Sequence, residues 1–318
     1  MKKKLLFIAP NYYGFNEVVY NGLRSFSEYE VIEIDSTKPY KYKNISERVY
    51  NFFLKKFRGL NLKKVKSEFY LQKSIEKYEQ YDLLLINRPD LLTKHALETA
   101  VSRSKKSKAI LWDSIEKIPQ SNEFLSKFDA VLSFDPADCY KYGFTPITNF
   151  YFKEAQNWEI KFDVALLITY DNRINDAIKL FRYFNNNGIK AKARIFAYKK
   201  DQIKEKLPEN MEIIEQIIPF KNSCEYYFDS KIILDLSHPH QKGLSFRPFE
   251  ALGLKKKLIT TAENVKSLEF YNTTNILYLQ DINDIEIPED FLKDEYLNPD
   301  LQITKRYSLE NWVENVTS

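Results

Sequence analysis

Short runs of apolar residues alternate along this chain with longer segments whose apolar positions recur at helical spacing. Short apolar runs between polar residues indicate buried strands, whereas recurrence at about 3.6 residues indicates amphipathic helices. In the first half, the apolar runs predict strands over residues 5–9, 31–34, 82–86, 108–112 and 129–134. Helical spacing predicts helices over residues 16–25, 91–102 and most of 45–80.

The second half repeats the same alternation. Its apolar runs predict strands over residues 162–169, 191–197, 211–214, 231–236, 257–261 and 276–279. Helices are predicted over residues 173–186, 201–207, 245–253 and 309–316. Strands that alternate with helices in this way favour parallel sheets with right-handed crossovers.

A stretch of aromatic and polar residues without a clear period, 146–160, interrupts the alternation. The chain has 318 residues, which is more than one hydrophobic core usually serves. We therefore predict an α/β protein of two Rossmann-like, doubly wound domains, residues 1–152 and 153–307, that face each other across a cleft. A final helix within residues 308–318 is expected to pack back on the first domain.

Composition narrows the class of protein. The chain carries 48 basic and 44 acidic residues, a net charge of +4, so no nucleic-acid partner is expected. Cys139 and Cys224 are too few and too far apart for a disulfide framework or a metal motif. The apolar run 5–9 is too short for a signal peptide, and no stretch approaches the ~20 apolar residues of a membrane span. We predict a cytoplasmic protein.

One basic region leaves two interpretations open. Residues 54–66 are rich in lysine, and the preceding helix has Val49, Phe52, Phe53 and Phe57 at helical spacing, with lysine and glutamate expected outside. The region is either a solvated helix face or a contact with anionic lipid at the inner face of a membrane.

Candidate ligand contacts follow the predicted strands, because open parallel sheets bind ligands at the carboxyl ends of their strands. In the first half, the candidates are three loop residues that follow the first strand and one acid that ends the fourth. They are Tyr12, Tyr13, Gly14 and Asp113. In the second half, they follow the strands 162–169 and 231–236. They are Arg173, His238, His240, Gln241, Gly243, Leu244, Arg247 and Glu250.

The segment 233–261 has the most specific chemistry of these. Gly243 lets backbone amides approach a ligand, and the amides that begin a helix bind phosphate. The guanidinium of Arg247 can fork to a diphosphate, and the carboxylate of Glu250 can accept hydrogen bonds from two ribose hydroxyls. The alternative is that Arg247 and Glu250 form a surface i, i+3 pair and that the histidines cap a loop.

The sequence SHPHQKGLSFRPFEALGLKKKLITT resembles the donor-site segment of a family of bacterial GT-B glycosyltransferases of lipopolysaccharide, capsule and exopolysaccharide synthesis. The segments ILWDSIEKIP, VLSFDPADCYKYGFTPITNFYF and FDVALLITYDNRI are similar to other parts of that family. This chain departs from the family at Thr169, where a glycine is usual. Many GT-B enzymes also have an acid eight residues before Glu250, where this chain has Lys242, so Gln241 or His240 takes that place.

The resemblance implies the GT-B fold and transfer of a sugar from a nucleoside-diphosphate sugar to a saccharide or lipid-linked saccharide. It implies metal-independent chemistry without a cofactor, in which helix amides and basic side chains stabilise the diphosphate. Residues 1–152 then serve the acceptor and residues 153–307 bind the donor. Arg173 and Arg247 are expected at the phosphates and Glu250 at the ribose. The other second-half candidates would line the donor sugar and diphosphate.

On the acceptor side, an inverting enzyme needs a general base, whereas a retaining enzyme does not. Asp113 is the first choice for this base, with Asp90 and His95 as alternatives, and Asp113 could instead cap a helix. Tyr12 or Tyr13 is expected to stack on an acceptor sugar. Two other classes share a two-domain α/β architecture. They are nucleotide-sugar epimerases and non-enzymatic ligand-binding proteins.

Overall fold

The structure, a computed structural model, describes residues 2–238 and 243–318, so the predicted contacts His240 and Gln241 lie outside the described residues. Its first sheet is parallel and has the strand order β2-β1-β3-β4-β5-β6. The strands are β1 (Lys4–Ala9), β2 (Glu30–Asp35), β3 (Leu83–Ile86), β4 (Ser107–Leu111), β5 (Ala130–Ser133) and β6 (Thr145–Pro146). The helices are α1 (Phe15–Phe26), α2 (Ile45–Arg58), α3 (Leu62–Ile75), α4 (Lys94–Ser102), α5 (Asn122–Leu125) and α6 (Pro136–Tyr142).

The second sheet is also parallel, in the order β12-β11-β10-β7-β8-β9. Its strands are β7 (Phe162–Thr169), β8 (Ala191–Phe196), β9 (Met211–Ile214), β10 (Ser230–Asp235), β11 (Lys257–Thr260) and β12 (Ile276–Tyr278). The helices of this half are α7 (Ile174–Asn186), α8 (Phe220–Ser223), α9 (Arg247–Gly253), α10 (Glu289–Lys293), α11 (Leu301–Arg306) and α12 (Leu309–Thr317). The predicted architecture of two doubly wound α/β domains is confirmed.

Strand β1 shows why the short apolar runs form the centre of the first sheet. It pairs with β2 on one side and β3 on the other, and both of its faces are covered. Leu6 and Ile8 belong to the apolar core on one face, and Leu5 and Phe7 belong to the core on the other. A continuous apolar run is typical of such a doubly covered parallel strand.

Three predicted helices differ from the structure. The helix predicted over 201–207 is absent, and only a 3-10 turn, Lys200–Gln202, is present. Leu207 precedes a proline, which disfavours helical backbone there. The helix predicted from residue 91 begins at Lys94, because the Thr93 hydroxyl caps it by accepting from the amide of Ala96 at 3.2 Å. The helix predicted from residue 245 begins at Arg247.

The orientation of α2 also differs from the expectation of an apolar face turned inward. The side chains of Val49, Phe52, Phe53 and Phe57 are all exposed. The buried residue of this helix is Asn51. Helical periodicity therefore identified the helix but not the side that the protein covers.

The C-terminal helix α12 packs on the first sheet. Trp312, Val313 and Val316 are buried in one core with Leu5 and Phe7 of β1. The chain crosses between the sheets at two neighbouring points, where the amide of Tyr151 donates to the carbonyl of Tyr307 at 2.9 Å. Among the described residues, no helix is both long and apolar enough to cross a bilayer.

Candidate functional site

The loop after β1 reaches the second domain. The carbonyl of Tyr13 accepts from the amide of Phe220 at 2.7 Å, and the hydroxyls of Tyr13 and Tyr198 lie 3.1 Å apart. Gly14 has a φ of 74°, in the left-handed region that favours glycine, and Tyr13 has a φ of 55°. Of the predicted acceptor-side residues, Tyr13 and Gly14 therefore lie against the second domain, and the side chains of Tyr12 and Tyr13 are both exposed.

Aromatic rings join the two domains behind this loop. The ring of Phe15 lies 4.6 Å from that of Trp112 in the first domain. It also lies 5.0 Å from the ring of Phe220 and 5.4 Å from that of Phe246 in the second domain. The edge-to-face geometry of these pairs is the arrangement that aromatic rings prefer. The base of the cleft is thus a packed apolar contact, and a ligand has to bind beside it.

A cavity of about 300 Å³ lies beside this contact, at the carboxyl ends of β7, β8 and β10. The volume is at the lower end of the range of small-molecule sites, roughly 300–1,000 Å³. Its apolar wall includes Ile168, Phe196, Ile214, Ile217, Ile218 and Leu234. Its polar lining includes Tyr13, Thr169, Arg173, Ser223, Asp235, Ser245 and Arg247. The cavity therefore joins an apolar wall to two guanidinium groups.

Arg173 is held in place at this cavity by two partners. Its Nε donates to the two carboxylate oxygens of Asp171 at 2.9 and 3.2 Å, and its Nη1 donates to the carbonyl of Leu236 at 2.8 Å. Partial burial alone raises the pKa of Asp171, but hydrogen bonds from the side chain and amide of Arg173 outweigh it and hold that pKa below its usual value. The charge of His238 acts in the same direction. Asp171 follows β7, two residues before Arg173, where ligand contacts are expected, but the sequence predicts no role for it.

Arg247 and Glu250 form an ion pair with each other. The Glu250 carboxylate also accepts from the hydroxyl of Ser223 at 3.4 Å, and the guanidinium of Arg247 lies 5.1 Å from the ring centre of Tyr227. The Glu250 side chain is only 2% exposed. Burial alone lowers the pKa of Arg247, but the neighbouring Glu250 carboxylate outweighs it and keeps the pKa above its usual value. Arg247 and Glu250 therefore pair at i, i+3 spacing, as one of the two interpretations of the sequence expected, but the pair is buried and not on the surface.

Gly243 and Leu244 contact the first domain. A Cβ atom at Gly243 would lie 2.2 Å from the ring of Phe134. The carbonyl of Leu244 accepts from Nδ2 of Asn149 at 2.9 Å. Close packing against a ring is therefore a physical reason for glycine at position 243. Neither residue lines the cavity between β7, β8 and β10.

Asp113 lies at the end of β4 and forms an ion pair with Lys117. It does not cap a helix, since its described partner is a lysine side chain. Nearby, the Arg88 guanidinium donates hydrogen bonds to both carboxylate oxygens of Asp90 at 2.8–3.2 Å. The hydroxyl of Ser121 donates to the same carboxylate at 2.8 Å.

The two alternatives for the base have different surroundings. Burial alone raises the pKa of Asp90, but the hydrogen bonds from Arg88 and Ser121 outweigh it and hold the pKa below its usual value, which weakens this carboxylate as a base. His95 is exposed on α4. Asp113 is 28% exposed and its charge acts on Arg88, so this carboxylate is near the strand ends and accessible to solvent.

The described residues contain no group of three or more His, Cys, Asp or Glu side chains that could hold a metal ion. The arrangement in the second domain consists of fixed cations beside an apolar wall. Such an arrangement is suited to an anionic ligand with a flat apolar part.

Solved structures resemble the chain in fold. An α-glucosyltransferase in complex with UDP and a 13-mer DNA has a TM-score of 0.60 and 12% identity, with 99% of this chain and 95% of that chain covered. A UDP-N-acetylglucosamine 2-epimerase has a TM-score of 0.54 and 12% identity, with 100% and 95% covered. The UDP-GlcNAc 2-epimerase of Neisseria meningitidis bound to UDP-GlcNAc has a TM-score of 0.52 and 10% identity, with 99% and 98% covered. No protein-family model and no curated protein matches the chain. The shared architecture is the two-domain, Rossmann-like GT-B fold.

Proposed function

We propose that the protein is a glycosyltransferase that moves a sugar from a nucleoside-diphosphate sugar to a saccharide or lipid-linked saccharide in cell-surface polysaccharide synthesis, in the cytoplasm at the inner face of the membrane. The observation that carries this proposal is the cavity at the carboxyl ends of β7, β8 and β10, where Arg173 and Arg247 stand beside an apolar wall. A nucleoside diphosphate has the matching parts, since its base is flat and its diphosphate is anionic.

Arg173 and Arg247 are proposed to hold the diphosphate, and the chemistry follows from fixed charge. A guanidinium has five N–H donors, and the described contacts of Arg173 engage Nε and one donor on each terminal nitrogen. The remaining donors are available to phosphate oxygens. Cations that are already positioned stabilise the charge that develops on the leaving diphosphate, and no metal ion is required for this. Glu250 was predicted to bind the ribose, but its carboxylate is buried in the pair with Arg247. We propose instead that it acts on the donor through Arg247, which it holds beside the cavity.

Asp113 is proposed as the general base of an inverting reaction. Its carboxylate would take the proton of an acceptor hydroxyl while that oxygen bonds to the anomeric carbon. The bond from this carbon to the diphosphate breaks, and the diphosphate leaves with the electron pair. Asp113→Asn is expected to lower turnover by roughly 10²- to 10⁴-fold and to leave donor binding intact. Turnover equal to that of the parent would remove Asp113 as the base.

A thermal-shift panel of UDP, GDP, CMP and nucleotide sugars tests the donor site. A ligand at a hundred times its Kd stabilises the folded state by about 2.7 kcal/mol, which gives a clear rise in Tm. We expect a nucleoside diphosphate to raise Tm. If no nucleotide raises it, the proposal is wrong.

An epimerase of nucleotide sugars is the second candidate, because two of the structures with this fold are UDP-GlcNAc 2-epimerases. Product analysis separates the two activities. A transferase leaves the nucleotide sugar intact until an acceptor is added, whereas an epimerase converts it to its epimer without one. Nucleotide binding with neither product would favour a non-enzymatic ligand-binding protein.

A further inference from the structure

Helices α2 and α3 form a hairpin whose outer surface is apolar. Among the described residues, this hairpin contains half of the exposed large apolar side chains of the chain. The exposed members extend along both helices and the turn between them. They are Ile45, Val49, Tyr50, Phe52, Phe53, Phe57, Leu60, Val65, Phe69 and Tyr70. On α2 the ring of Phe53 adjoins those of Phe52 and Phe57, so these exposed side chains form a patch. An exposed apolar patch marks an interaction site, whereas single exposed apolar residues are ordinary.

Helix α2 is amphipathic, but its polar side faces the protein and its apolar side faces solvent, which is the reverse of a helix that packs on a hydrophobic core. Its inward side is polar: Asn51 accepts from the amide of Leu62 at 2.7 Å and donates to the Tyr42 hydroxyl at 2.5 Å. Glu47, on the same side, forms an ion pair with Lys66 of α3. The opposite side presents Phe53, which is 50% exposed, to solvent. The polar contacts fix the hairpin with its apolar side outward, so this orientation is built into the fold.

The hairpin also has a positive net charge that exceeds that of the whole chain. Residues 45–75 contain eight basic and two acidic residues, a net charge of +6, whereas the whole chain has +4 and the remainder is therefore negative. The charges stand among the rings: the Lys56 ammonium lies 5.8 Å from the ring centre of Phe57, and that of Lys73 lies 4.8 Å from that of Phe69. Exposed aromatic and aliphatic side chains with interspersed lysine and arginine are typical of helices that lie in a bilayer interface.

The hairpin lies near the carboxyl edge of the first sheet. The chain leaves β2 after Asp35, at the carboxyl edge of the first sheet, and then enters α2. A cavity of about 660 Å³ lies between this edge and α3, and its lining includes Asp35 at the end of β2 and Ser67 and Leu71 of α3. Asp113 ends β4 at the same edge. A surface held by the hairpin would thus lie beside the edge at which the acceptor is proposed to bind.

We propose that the α2–α3 hairpin docks the protein on a bilayer that contains anionic phospholipid. The apolar side chains enter the interface and the lysines and arginines meet the lipid phosphates. A second copy of the chain is a poorer occupant, because two surfaces of net charge +6 repel each other across a two-fold interface. Nucleic acid is also a poorer occupant, because Ile45, Val49 and Leu60 have no counterpart on a phosphate backbone. The inference rests on the proposed function only for the lipid-linked acceptor that such docking would bring near.

Vesicle flotation with the full chain tests the proposal. We expect the parent to float with vesicles of phosphatidylcholine and phosphatidylglycerol, and to bind vesicles of phosphatidylcholine alone more than tenfold more weakly. The triple variant Phe52→Ser, Phe53→Ser, Phe57→Ser is expected to lose more than tenfold in affinity for the anionic vesicles. The double variant Lys55→Glu, Lys56→Glu is expected to lose more than tenfold as well, since each basic charge near the surface contributes roughly a fivefold factor.

Matched variants elsewhere on the surface serve as controls. Tyr140→Ser removes a ring that is 95% exposed, and Lys94→Glu with Lys305→Glu reverses two exposed charges. Both controls are expected to float as the parent does. The proposal is overturned if the parent does not bind anionic vesicles or if the hairpin variants bind like the controls. It is also overturned if the parent forms a dimer or binds DNA through the hairpin without binding vesicles. Nucleotide thermal shifts on the same samples report folding and the donor site, so failure of vesicle binding is distinguishable from failure of the proposed activity.

Discussion

The cavity of the second domain is bordered by two arginine–carboxylate pairs that differ in how deeply the carboxylate lies. Glu250, the partner of Arg247, is 2% exposed, whereas Asp171, the partner of Arg173, is 28% exposed. A buried charge that loses its partner destabilises the fold, but a pair in contact with water can exchange partners at little cost. The Arg247 pair is therefore expected to maintain the structure, whereas the Arg173 pair is expected to respond to a ligand.

Removal of the buried carboxylate is expected to have the largest effect. Glu250→Ala leaves the guanidinium of Arg247 without its counterion beside Tyr227 and should lower the free energy of unfolding by about 3–5 kcal/mol. Urea denaturation, monitored by circular dichroism, measures this change. Asp171→Ala, the same truncation at the rim of the cavity, should cost less than about 1 kcal/mol.

A double variant gives the control for this first prediction. Arg247→Met with Glu250→Met removes both charges and keeps apolar volume, so its stability should return toward that of the parent. If Glu250→Ala unfolds at the parent's urea concentration, the buried pair does not stabilise the fold and the contrast between the two pairs is wrong.

Removal of Arg173 should lower the affinity for nucleotide rather than the free energy of unfolding. Arg173→Ala removes charged hydrogen-bond donors from the cavity, so the affinity for the stabilising nucleotide should fall by roughly 10- to 100-fold, at about 1.5–3 kcal/mol for hydrogen bonds to a charged group. Isothermal titration calorimetry measures the loss.

Arg194→Ala is the matched control for Arg173→Ala. Its guanidinium also pairs with a carboxylate of the second domain, that of Glu212 at 2.8 Å, but it does not line the cavity. Equal losses of affinity in the two variants would show that general charge, and not the position of Arg173, determines binding.

The sequence predicted the strands well, because a parallel strand that is covered on both faces needs a continuous apolar run. The sequence predicted less well which face of each helix is buried. Helices α1 and α2 are both amphipathic, but α1 buries Val19 and Leu23 whereas α2 exposes Phe52 and Phe57. Which face is covered depends on what the neighbouring elements offer, and for α2 the neighbour offers polar partners.

The site shows the same limit. That Arg173 and Arg247 border one cavity could be predicted, since both follow strands of one parallel sheet at its carboxyl edge. That Glu250 is buried could not, because its carboxylate accepts from Ser223 and its partner Arg247 lies beside Tyr227, both distant in sequence. The packing of Gly243 on Phe134 likewise depends on the contact between the two domains.

The rim pair should also show a small dependence on pH. The pKa of Asp171 is held below its usual value, because hydrogen bonds and charge from Arg173 outweigh the opposing effect of partial burial. A carboxylate with a lowered pKa in the folded state stabilises the protein above its unfolded pKa of about 3.9, and this contribution is lost as the pH falls through the folded value. Asp171→Asn keeps the side-chain oxygen that accepts from the amide of Arg173 at 3.0 Å but removes the charge. At pH 7 the free energy of unfolding of the parent, measured by urea denaturation, should exceed that of this variant by less than about 1 kcal/mol, and the difference should shrink toward zero in acid.

Glu209→Gln, at an exposed position, controls for the loss of one negative charge. A difference that stays constant with pH would mean that the shape of Asp171, and not its charge, positions Arg173.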